Sequence, residues 1–399
     1  MIPGRMGVLT THLCRKMTVN QSAPLYVTAP ALSLLDPWLR QHLPDRTPAV
    51  LRRFIQVVRG IFETRSLLIE TIADSTAFQA TASSNATQVR RILRDLRLTM
   101  EDLYYPFIRS MLASVPATDL YLTVDETSHG TDYNVVQIGW ATDGMSLPLG
   151  MLIYAPNAPW AEDTRTLLHT IDDLIPDGVT VTLLADRVHT GEPFLACLDD
   201  LSWNDVFRAN ETTQIEHPTK GWMPLRRVYK QANVGRYFRQ VRLWKQGHRC
   251  ANVSIWKRVR PGFRPVIWYL VSNIDPDATQ FHEYACRWWC ECTFKIIKSG
   301  QFDWERGRVT APQRVQVLLM GVSCALWALW LLGREYERIP RVKPTTTQPQ
   351  RRRRRLITDG YHAFRLAVKR QQLLQMPAPQ TPRVLEYERV FVSTKGREG

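Results

Sequence analysis

The stretch DLYLTVDETS (residues 119–128) marks the point where the sequence changes from a helical to a strand-like pattern. Its apolar residues favour a strand that ends near Asp125. The following stretch, NVVQIGWATDGMSLPLGMLIYA (residues 134–155), predicts two further strands joined by a turn at Asp143 and Gly144. Three adjacent strands therefore begin the part of the chain in which we expect a β-sheet.

A helix and another strand follow. Residues 162–175 have a helical pattern, and GVTVTLLADR (residues 178–187) is a short apolar strand with Asp186 just beyond its last apolar residue. Three strands, a helix and a strand predict an α/β sheet with its chemistry at the strand ends. Asp125 and Asp186 are therefore the first candidates for a functional site.

The segment before these strands is helical. Residues 31–115 carry apolar residues at helical spacing. One predicted helix has Ser84 and Asn85 as candidate caps and bears Arg90, Arg94 and Arg97. This pattern fits a helix-turn-helix unit whose arginines face phosphates, and equally a helical bundle with a solvated basic face. We predict a helical DNA-binding domain over residues 25–117, after a loose arm over residues 1–24.

The segment after residue 210 is β-rich and basic. Residues 211–272 contain strand-like runs with 13 Lys and Arg against two acids, which predicts an antiparallel insertion carrying much of the basic surface. The whole chain has 52 Lys and Arg against 37 Asp and Glu, so an anionic polymer or an anionic membrane surface is the expected partner. Residues 336–399, with five arginines in a row, predict a basic tail that binds nucleic acid without specificity.

The apolar run VQVLLMGVSCALWALWLLG (residues 315–333) has about the length of a membrane span, which needs roughly 20 apolar residues. Gln316, Gly321 and Ser323 interrupt it, and a charged stretch precedes it. We therefore predict a buried helix of a large core, with a single-span membrane protein as the alternative.

A second informative stretch is EYACRWWCECTFKIIK (residues 283–298). On one regular helix, its Tyr284, Arg287, Glu291 and Lys298 fall within an arc of roughly 60°. A carboxylate among basic donors suits a metal-bound phosphate, and a surface pairing pattern is the alternative.

The spacing Tyr284-x2-Arg287-x3-Glu291-x6-Lys298 resembles the Y-R-E-K signature of bacterial insertion-sequence transposases, the DDE transposases of the insertion-sequence-four type. The resemblance covers about residues 85–335 and includes Asp125 and Asp186 as the two preceding acids. It implies an α/β, RNase H-like catalytic core over residues 118–210 and 273–335, interrupted by the β-rich insertion and preceded by the helical domain. In such a core the first Asp lies on the first strand, the second Asp just after the fourth, and the Glu on a later helix.

The resemblance also implies an activity. It predicts metal-dependent cleavage of the element's ends and strand transfer into target DNA, so that the chain is a DNA endonuclease and strand transferase. Asp125, Asp186 and Glu291 are then the catalytic residues and the ligands of two Mg²⁺ ions, for which Mn²⁺ substitutes. The DNA contacts are assigned to Tyr284, Arg287, Lys298, Arg208, Trp256 and Trp268, of which either tryptophan is a candidate for stacking on a base exposed during hairpin formation.

The expected partners are double-stranded DNA and a second copy of the chain, because pairing two element ends needs two active sites. We expect no membrane partner. Seven cysteines and the absence of an opening signal peptide predict reduced thiols in a bacterial cytoplasm, with the protein on the nucleoid. A transposase-derived DNA-binding protein without catalytic activity is the alternative function.

Other residues near these motifs have simpler interpretations. Zinc binding would draw on His282, Cys286, Cys290 and Cys292, but no second cysteine pair accompanies them, so buried thiols are the expectation. Glu126 alternates to the opposite strand face from Asp125. We expect solvated side chains at Asp132, Asp143 and Glu283, polar loop roles for His129 and His189, and for Arg208 a salt bridge as an equal alternative to DNA contact. No G-x-S-x-G or P-loop pattern is present, which excludes serine-hydrolase and nucleotide-hydrolase motifs.

Overall fold

The computed structural model describes residues 26–43, 45–156, 158, 161–189, 192–228, 235–245, 249–258, 266–338 and 356–379. These residues form a mixed α/β fold built on one large mixed sheet. The strands are β1 Val27–Pro30, β2 Asp119–His129, β3 Tyr133–Thr142, β4 Met145–Tyr154, β5 Thr180–Ala185, β6 Asn204–Arg208, β7 Gln214–His217, β8 Gly221–Pro224, β9 Arg236–Arg242, β10 Cys250–Arg258, β11 Val266–Ser272 and β12 Leu373–Met376. The helices are α1 Leu35–His42, α2 Pro48–Thr64, α3 Ile69–Ala73, α4 Ala82–Leu93, α5 Tyr105–Ala113, α6 Ala161–Asp172, α7 Glu192–Asp200, α8 Leu225–Val228, α9 Thr279–Ala285, α10 Trp288–Lys295, α11 Pro312–Arg338 and α12 Leu356–Lys369.

The large sheet has eight strands in the order β4-β3-β2-β5-β6-β11-β10-β9. Strands β2, β5 and β6 run parallel, and β3 and β4 join β2 as an antiparallel meander. The predicted three strands, helix and strand are therefore confirmed. Asp125 lies within β2 instead of at its end, because β2 keeps pairing with β3 as far as His129 opposite Tyr133.

The β-rich segment extends the large sheet. Strand β11 pairs with β6 through Leu270 opposite Arg208, and β10 and β9 follow it antiparallel. Strands β7 and β8 form a separate hairpin. The predicted strands exist, but three of them continue the core sheet because the edge of β6 is available for pairing.

The helical segment before β2 differs from the prediction at one cap. Helix α4 begins after Thr81, whose hydroxyl accepts a hydrogen bond from the N–H of Ser84. Asn85 is buried inside the helix and its amide donates to the carbonyl of Ala73 at 3.2 Å. Of the predicted phosphate-facing arginines, Arg90 pairs with Glu70 and Arg97 with Asp95, while Arg94 is exposed at the helix end.

Helix α11 crosses the middle of the core. Every residue from 317 to 334 is buried, so the predicted core helix is confirmed. By length and composition the helix also suits a membrane span, but 94% of its most apolar window is buried against the rest of the protein.

The segment after α11 corrects the expectation of a basic tail. Helix α12 packs on α11, where Gly333 and Gly360 leave room for close approach: a Cβ on Gly360 would lie 2.0 Å from the carbonyl oxygen of Leu329. Strand β12 pairs with β1 and ties this segment to the start of the described chain. The predicted arm (1–24) and the five arginines (351–355) lie outside the described residues.

Candidate active site

Two carboxylates lie side by side on the parallel strands. Val124 on β2 pairs with Ala185, the last residue of β5, so the residues that follow this pair are Asp125 on β2 and Asp186 just after β5. One oxygen of each accepts the N–H of the following residue, at 2.9 Å from Glu126 and 2.7 Å from Arg187. These bonds orient the two carboxylates and leave the second oxygen of each for another partner.

Arg287 joins this strand pair to helix α10. Its Nη1 donates to Oδ2 of Asp125 at 3.1 Å, and its Nη2 donates to Oε1 of Glu291. The Arg287 side chain is 11% exposed, whereas those of Asp125 and Glu291 are 19% and 35% exposed. One guanidinium thus holds two carboxylates from different elements together, and both carboxylates still reach solvent.

The site carries more acid than base. Burial raises the pKa of Asp125; the charge of Arg287 opposes this, and the charges of Glu291 and Asp186 raise it further. Burial alone would lower the pKa of Arg287, but Tyr284, Asp125 and Glu291 outweigh it and the net shift is upward. Two further acids therefore act on Asp125 beside the Arg287 guanidinium.

The donor set fits a divalent cation in chemistry. Carboxylate oxygens are the ligands that Mg²⁺ prefers, and a cation would offset the surplus negative charge. In the described part of the chain, no three His, Cys, Asp or Glu side chains stand ready to hold a metal as they are arranged. Because Arg287 bridges Asp125 and Glu291, it must move before both can bind one ion.

Tyr284 and Arg208 adjoin the acids. Tyr284 on α9 is buried, and its burial raises the pKa of the phenol. The charges of Arg287, Asp186, Arg208 and Asp125 all act on this pKa, which places Arg208 in the same electrostatic environment.

The two predicted tryptophans lie behind Tyr284. The ring of Trp268 meets the Tyr284 ring edge to face at 5.3 Å, and Trp256 lies 6.5 Å from Trp268 and 5.4 Å from Phe281. Both are half-buried. The structure therefore brings these aromatic side chains next to the site but uses part of their surface for packing.

The stretch 283–298 is not the one regular helix on which the prediction of a common face was based. Between α9 and α10 the N–H of Arg287 donates to the carbonyl of Tyr284, three residues back, which tightens the turn. Lys298 lies in a π-helical turn, Ile296–Gly300, and pairs with Glu305 at 3.3 Å. Tyr284, Arg287 and Glu291 are gathered at the acids, while the ion pair of Lys298 is with a different carboxylate.

Sequence analysis gave no role to Trp288. This side chain is 59% exposed and directly follows Arg287, whereas Trp289 beside it is 7% exposed. The Trp288 ring is therefore accessible from solvent beside the acids. Two adjacent tryptophans in the sequence could have indicated this, because a helix with one apolar face buries only one of two adjacent rings.

Several neighbouring residues differ from their expected environment. Asp143 is buried instead of solvated, with Arg334 at 2.9 Å. Glu283 is half-buried and accepts a hydrogen bond from the Tyr121 hydroxyl at 2.7 Å. His129 is buried at the end of β2, and its Nε2 donates to the carbonyl of Trp304 at 3.0 Å. Long-range partners that sequence spacing does not reveal account for all three.

The remaining residues near the motifs are exposed or buried as predicted. Asp132 is 48% exposed, and Glu126 is exposed and accepts from Asn134 at 2.8 Å. Cys286 and Cys290 are buried, as expected of core thiols, and burial raises the pKa of Cys290. The side chain of His189 lies outside the described residues.

Comparisons with known proteins identify the family of the chain. A search of the curated proteins finds no match. Among solved structures, the chain is similar to the piggyBac transposase in a synaptic complex with hairpin DNA, at 9% identity and a TM-score of 0.44, over 86% of this chain and 79% of that one. The family model described as "Transposase DDE domain" matches residues 117–328, just over half of the 399 residues. The chain therefore belongs to the family of transposases with a DDE domain.

Proposed function

We propose that the chain is a DNA transposase of a bacterial insertion sequence, of the insertion-sequence-four type, which cuts the element's ends and transfers them to target DNA. The observation that carries this proposal is the convergence of Asp125, Asp186 and Glu291 around Arg287. We also propose an RNase H-like core. Its support is positional: the acids lie on the first strand of the large sheet, just after the fourth, and on a later helix.

Asp125, Asp186 and Glu291 are the residues that would hold two Mg²⁺ ions, for which Mn²⁺ would substitute. Such ions, when bound, activate a water or a 3′-hydroxyl and stabilise the leaving oxygen. Arg287 then turns its two donors from the carboxylates to the DNA phosphate, for which a planar guanidinium is well suited. This exchange keeps the Arg287 guanidinium paired in both states.

The DNA contacts follow from what lies around the acids. Arg208 and Tyr284 adjoin the acids, Lys298 follows on the same segment, and Trp256, Trp268 and the exposed Trp288 offer rings for a base displaced from the duplex. The helical segment adds exposed Arg91 and Arg94 on α4. We further propose a dimer on double-stranded DNA in the bacterial cytoplasm, so that two sites act on two ends.

The test is cleavage of a DNA fragment bearing the element's own ends, with Mg²⁺ or Mn²⁺. We expect Asp125→Ala, Asp186→Ala and Glu291→Ala each to lose nicking while still binding the fragment. Glu126→Ala is the matched control, because Glu126 is the exposed neighbour of Asp125 on the same strand, and it should cleave normally.

The competing function makes a different prediction. A transposase-derived DNA-binding protein would bind the same ends tightly and would cut them neither before nor after substitution of the acids. Tight binding without cleavage by the unaltered protein would therefore replace the proposed function with the binding function.

A further inference from the structure

Buried hydroxyl groups link the strand of Asp125 to the helix of Glu291. Thr123 precedes Asp125 by two residues on β2, Thr293 follows Glu291 by two residues on α10, and Ser146 lies on β4 between them. All three side chains are fully buried, each at 0% exposure. The hydroxyl oxygens of Thr123 and Ser146 are 2.7 Å apart, a hydrogen bond across the intervening strand β3.

Gly139 on β3 makes this contact possible. Thr123 pairs with Gly139, so the two hydroxyls meet directly over a residue without a side chain. A Cβ on Gly139 would lie 2.1 Å from the Ser146 hydroxyl oxygen and 2.9 Å from the carbonyl oxygen of Leu147. Any other residue at this position would push the hydroxyls apart.

Thr293 completes the link through backbone groups. Its hydroxyl accepts the N–H of Ser146 at 2.9 Å and donates to the carbonyl of the same residue at 2.9 Å. Strand β4 is an edge strand of the sheet, so no further strand pairs with its outer side. The Thr293 hydroxyl instead bonds the N–H and the carbonyl of Ser146 there. Helix α10 is thereby fixed along β4 by two directional bonds, whereas apolar packing alone would tolerate sliding.

We propose that Thr293 is a positioning residue of the active site, which sets the distance between Asp125 and Glu291 through its hydrogen bonds to the Ser146 backbone and the bond of the Ser146 hydroxyl to Thr123. This inference rests on the proposed function, because it assigns a purpose to the spacing of two carboxylates. Metal ligands on separate elements require such support, since small displacements of the ligands weaken binding and catalysis.

The experiment compares three threonine variants. Thr293→Val keeps the shape and removes the hydroxyl, and Thr293→Ser keeps the hydroxyl. Thr164→Val is the matched control, because Thr164 is equally buried and its hydroxyl has no hydrogen-bond partner among the described residues. The readouts are Mn²⁺ affinity of the protein alone, from electron paramagnetic resonance of unbound Mn²⁺, and the Mg²⁺ concentration that gives half-maximal cleavage.

We expect Thr293→Val to weaken Mn²⁺ binding roughly tenfold and to raise the Mg²⁺ requirement in proportion, which is the usual effect of removing a group that supports metal ligands. Thr293→Ser should restore both, and Thr164→Val should change neither. Ser146→Ala, which removes the link to Thr123 and leaves the backbone groups for Thr293, should show a smaller loss and gives an answer even if Thr293→Val does not fold.

Unchanged Mn²⁺ affinity and Mg²⁺ requirement in both Thr293→Val and Ser146→Ala would overturn the positioning role while leaving the proposed function in place. A different pattern separates the proposed function from this role. If Asp125→Ala binds Mn²⁺ as the unaltered protein does, the acids are not the metal site and both proposals fail.

Discussion

Arg287 and Arg334 each pair with an aspartate, but Arg334 is one of two donors to a single carboxylate, whereas Arg287 donates to two carboxylates. At Asp143, one carboxylate oxygen accepts from Nη1 of Arg334 at 2.9 Å and from the Trp330 indole at 3.0 Å. At Arg287, one guanidinium serves Asp125 and Glu291, and Asp186 adds a third negative charge. The first arrangement gives one carboxylate two donors, and the second shares one guanidinium between two carboxylates.

The two arrangements also differ in exposure: the Arg334 pair is sealed from solvent, and the acids around Arg287 are partly exposed. The side chains of Arg334 and Asp143 are 4% and 1% exposed, so no ligand reaches them. Those of Asp125 and Glu291 are 19% and 35% exposed. A sealed pair at the β3–β4 turn holds that turn to helix α11, whereas an open, acid-rich group is able to exchange its arginine for a cation. Under the proposed function, the same chemical pair serves stability in one place and binding in the other.

The largest effect that we expect from the difference between the two arginines is on the free energy of unfolding. Arg334→Ala leaves the Asp143 carboxylate buried without its cation, so we expect a loss of about 3–5 kcal/mol in the free energy of unfolding. Arg287→Ala should lose much less, because water reaches the carboxylates that it leaves. Urea unfolding followed by circular dichroism measures both, with exposed Arg52→Ala as the surface control. Equal losses of stability in Arg334→Ala and Arg287→Ala would contradict the contrast between the two arrangements.

A third pair, Asp205 with Arg249, sharpens the comparison because it is sealed but acid-rich. Asp205 is 1% exposed, and Arg249 donates to it at 3.4 Å while also pairing with Asp199. Burial raises the pKa of Asp205 to about 7; Arg249 opposes the shift and Asp199 adds to it. An acid whose pKa is raised in the folded state contributes most stability below its unfolded pKa, near 4, and loses that contribution as the pH rises to about 7.

Asp205→Asn should therefore change the pH dependence of stability. We expect the variant to match the unaltered protein near pH 4 and to be more stable by roughly 4 kcal/mol above pH 7, since each unit of the pKa shift corresponds to about 1.4 kcal/mol. Arg249 keeps Asp199 as its partner in the variant. Urea unfolding at several pH values gives the difference between the two proteins, and a difference that does not vary with pH would show that Asp205 does not titrate in this range.

Local patterns predicted much of the sheet and the elements that carry or precede all three acids. Strands β2 to β5 follow from apolar runs and turn residues, and parallel strands place Asp125 beside Asp186 because both follow paired residues. Arg287 and Glu291 follow from helical spacing, since they are one turn apart. These are short-range inferences, and they hold because neighbouring residues determine them.

The parts that sequence analysis missed depend on distant partners. Asp143 was expected in solvent because it sits in a turn, but its partner Arg334 lies 191 residues later. The tight turn before Arg287 and the π-helical turn at Lys298 interrupt the regular helix that the spacing predicted. Helix α12 follows a basic, low-complexity stretch, and it packs on α11 through two glycines that show no periodic pattern. Charge and periodicity carry no information on such pairings.

The next prediction concerns the exchange of arginine for a cation. In Arg287→Ala no guanidinium offsets the repulsion between the acids. Mn²⁺ can then bind the acids without first displacing the Arg287 side chain. We expect Mn²⁺ to stabilise the variant by about 1–2 kcal/mol more than it stabilises the unaltered protein, which corresponds to roughly tenfold tighter binding. Thermal unfolding with and without Mn²⁺ measures this difference. Asp125→Ala is the control and should lose the response, and equal stabilisation of Arg287→Ala and the unaltered protein would argue against any exchange.

The smallest effect contrasts the tryptophans beside the two arginines. Trp330 is fully buried and bonds Asp143, whereas Trp288 is 59% exposed beside Arg287. Because Trp288 contributes little packing, we expect Trp288→Ala to leave the free energy of unfolding unchanged. Stacking of a ring on a base contributes about 1–3 kcal/mol, so the variant should bind DNA ends about 1 kcal/mol more weakly.

A fluorescent base at the cleavage site distinguishes stacking from a general loss of affinity. With 2-aminopurine at the terminal nucleotide, stacking on Trp288 should quench the fluorescence that appears when the base leaves the duplex. Trp288→Phe should keep part of this quenching and Trp288→Ala should lose it, while Trp256→Ala and Trp268→Ala report the competing candidates. Loss of quenching only in one of the latter variants would assign the base to the half-buried rings behind Tyr284, and the exposure of Trp288 would then have to serve another contact with DNA.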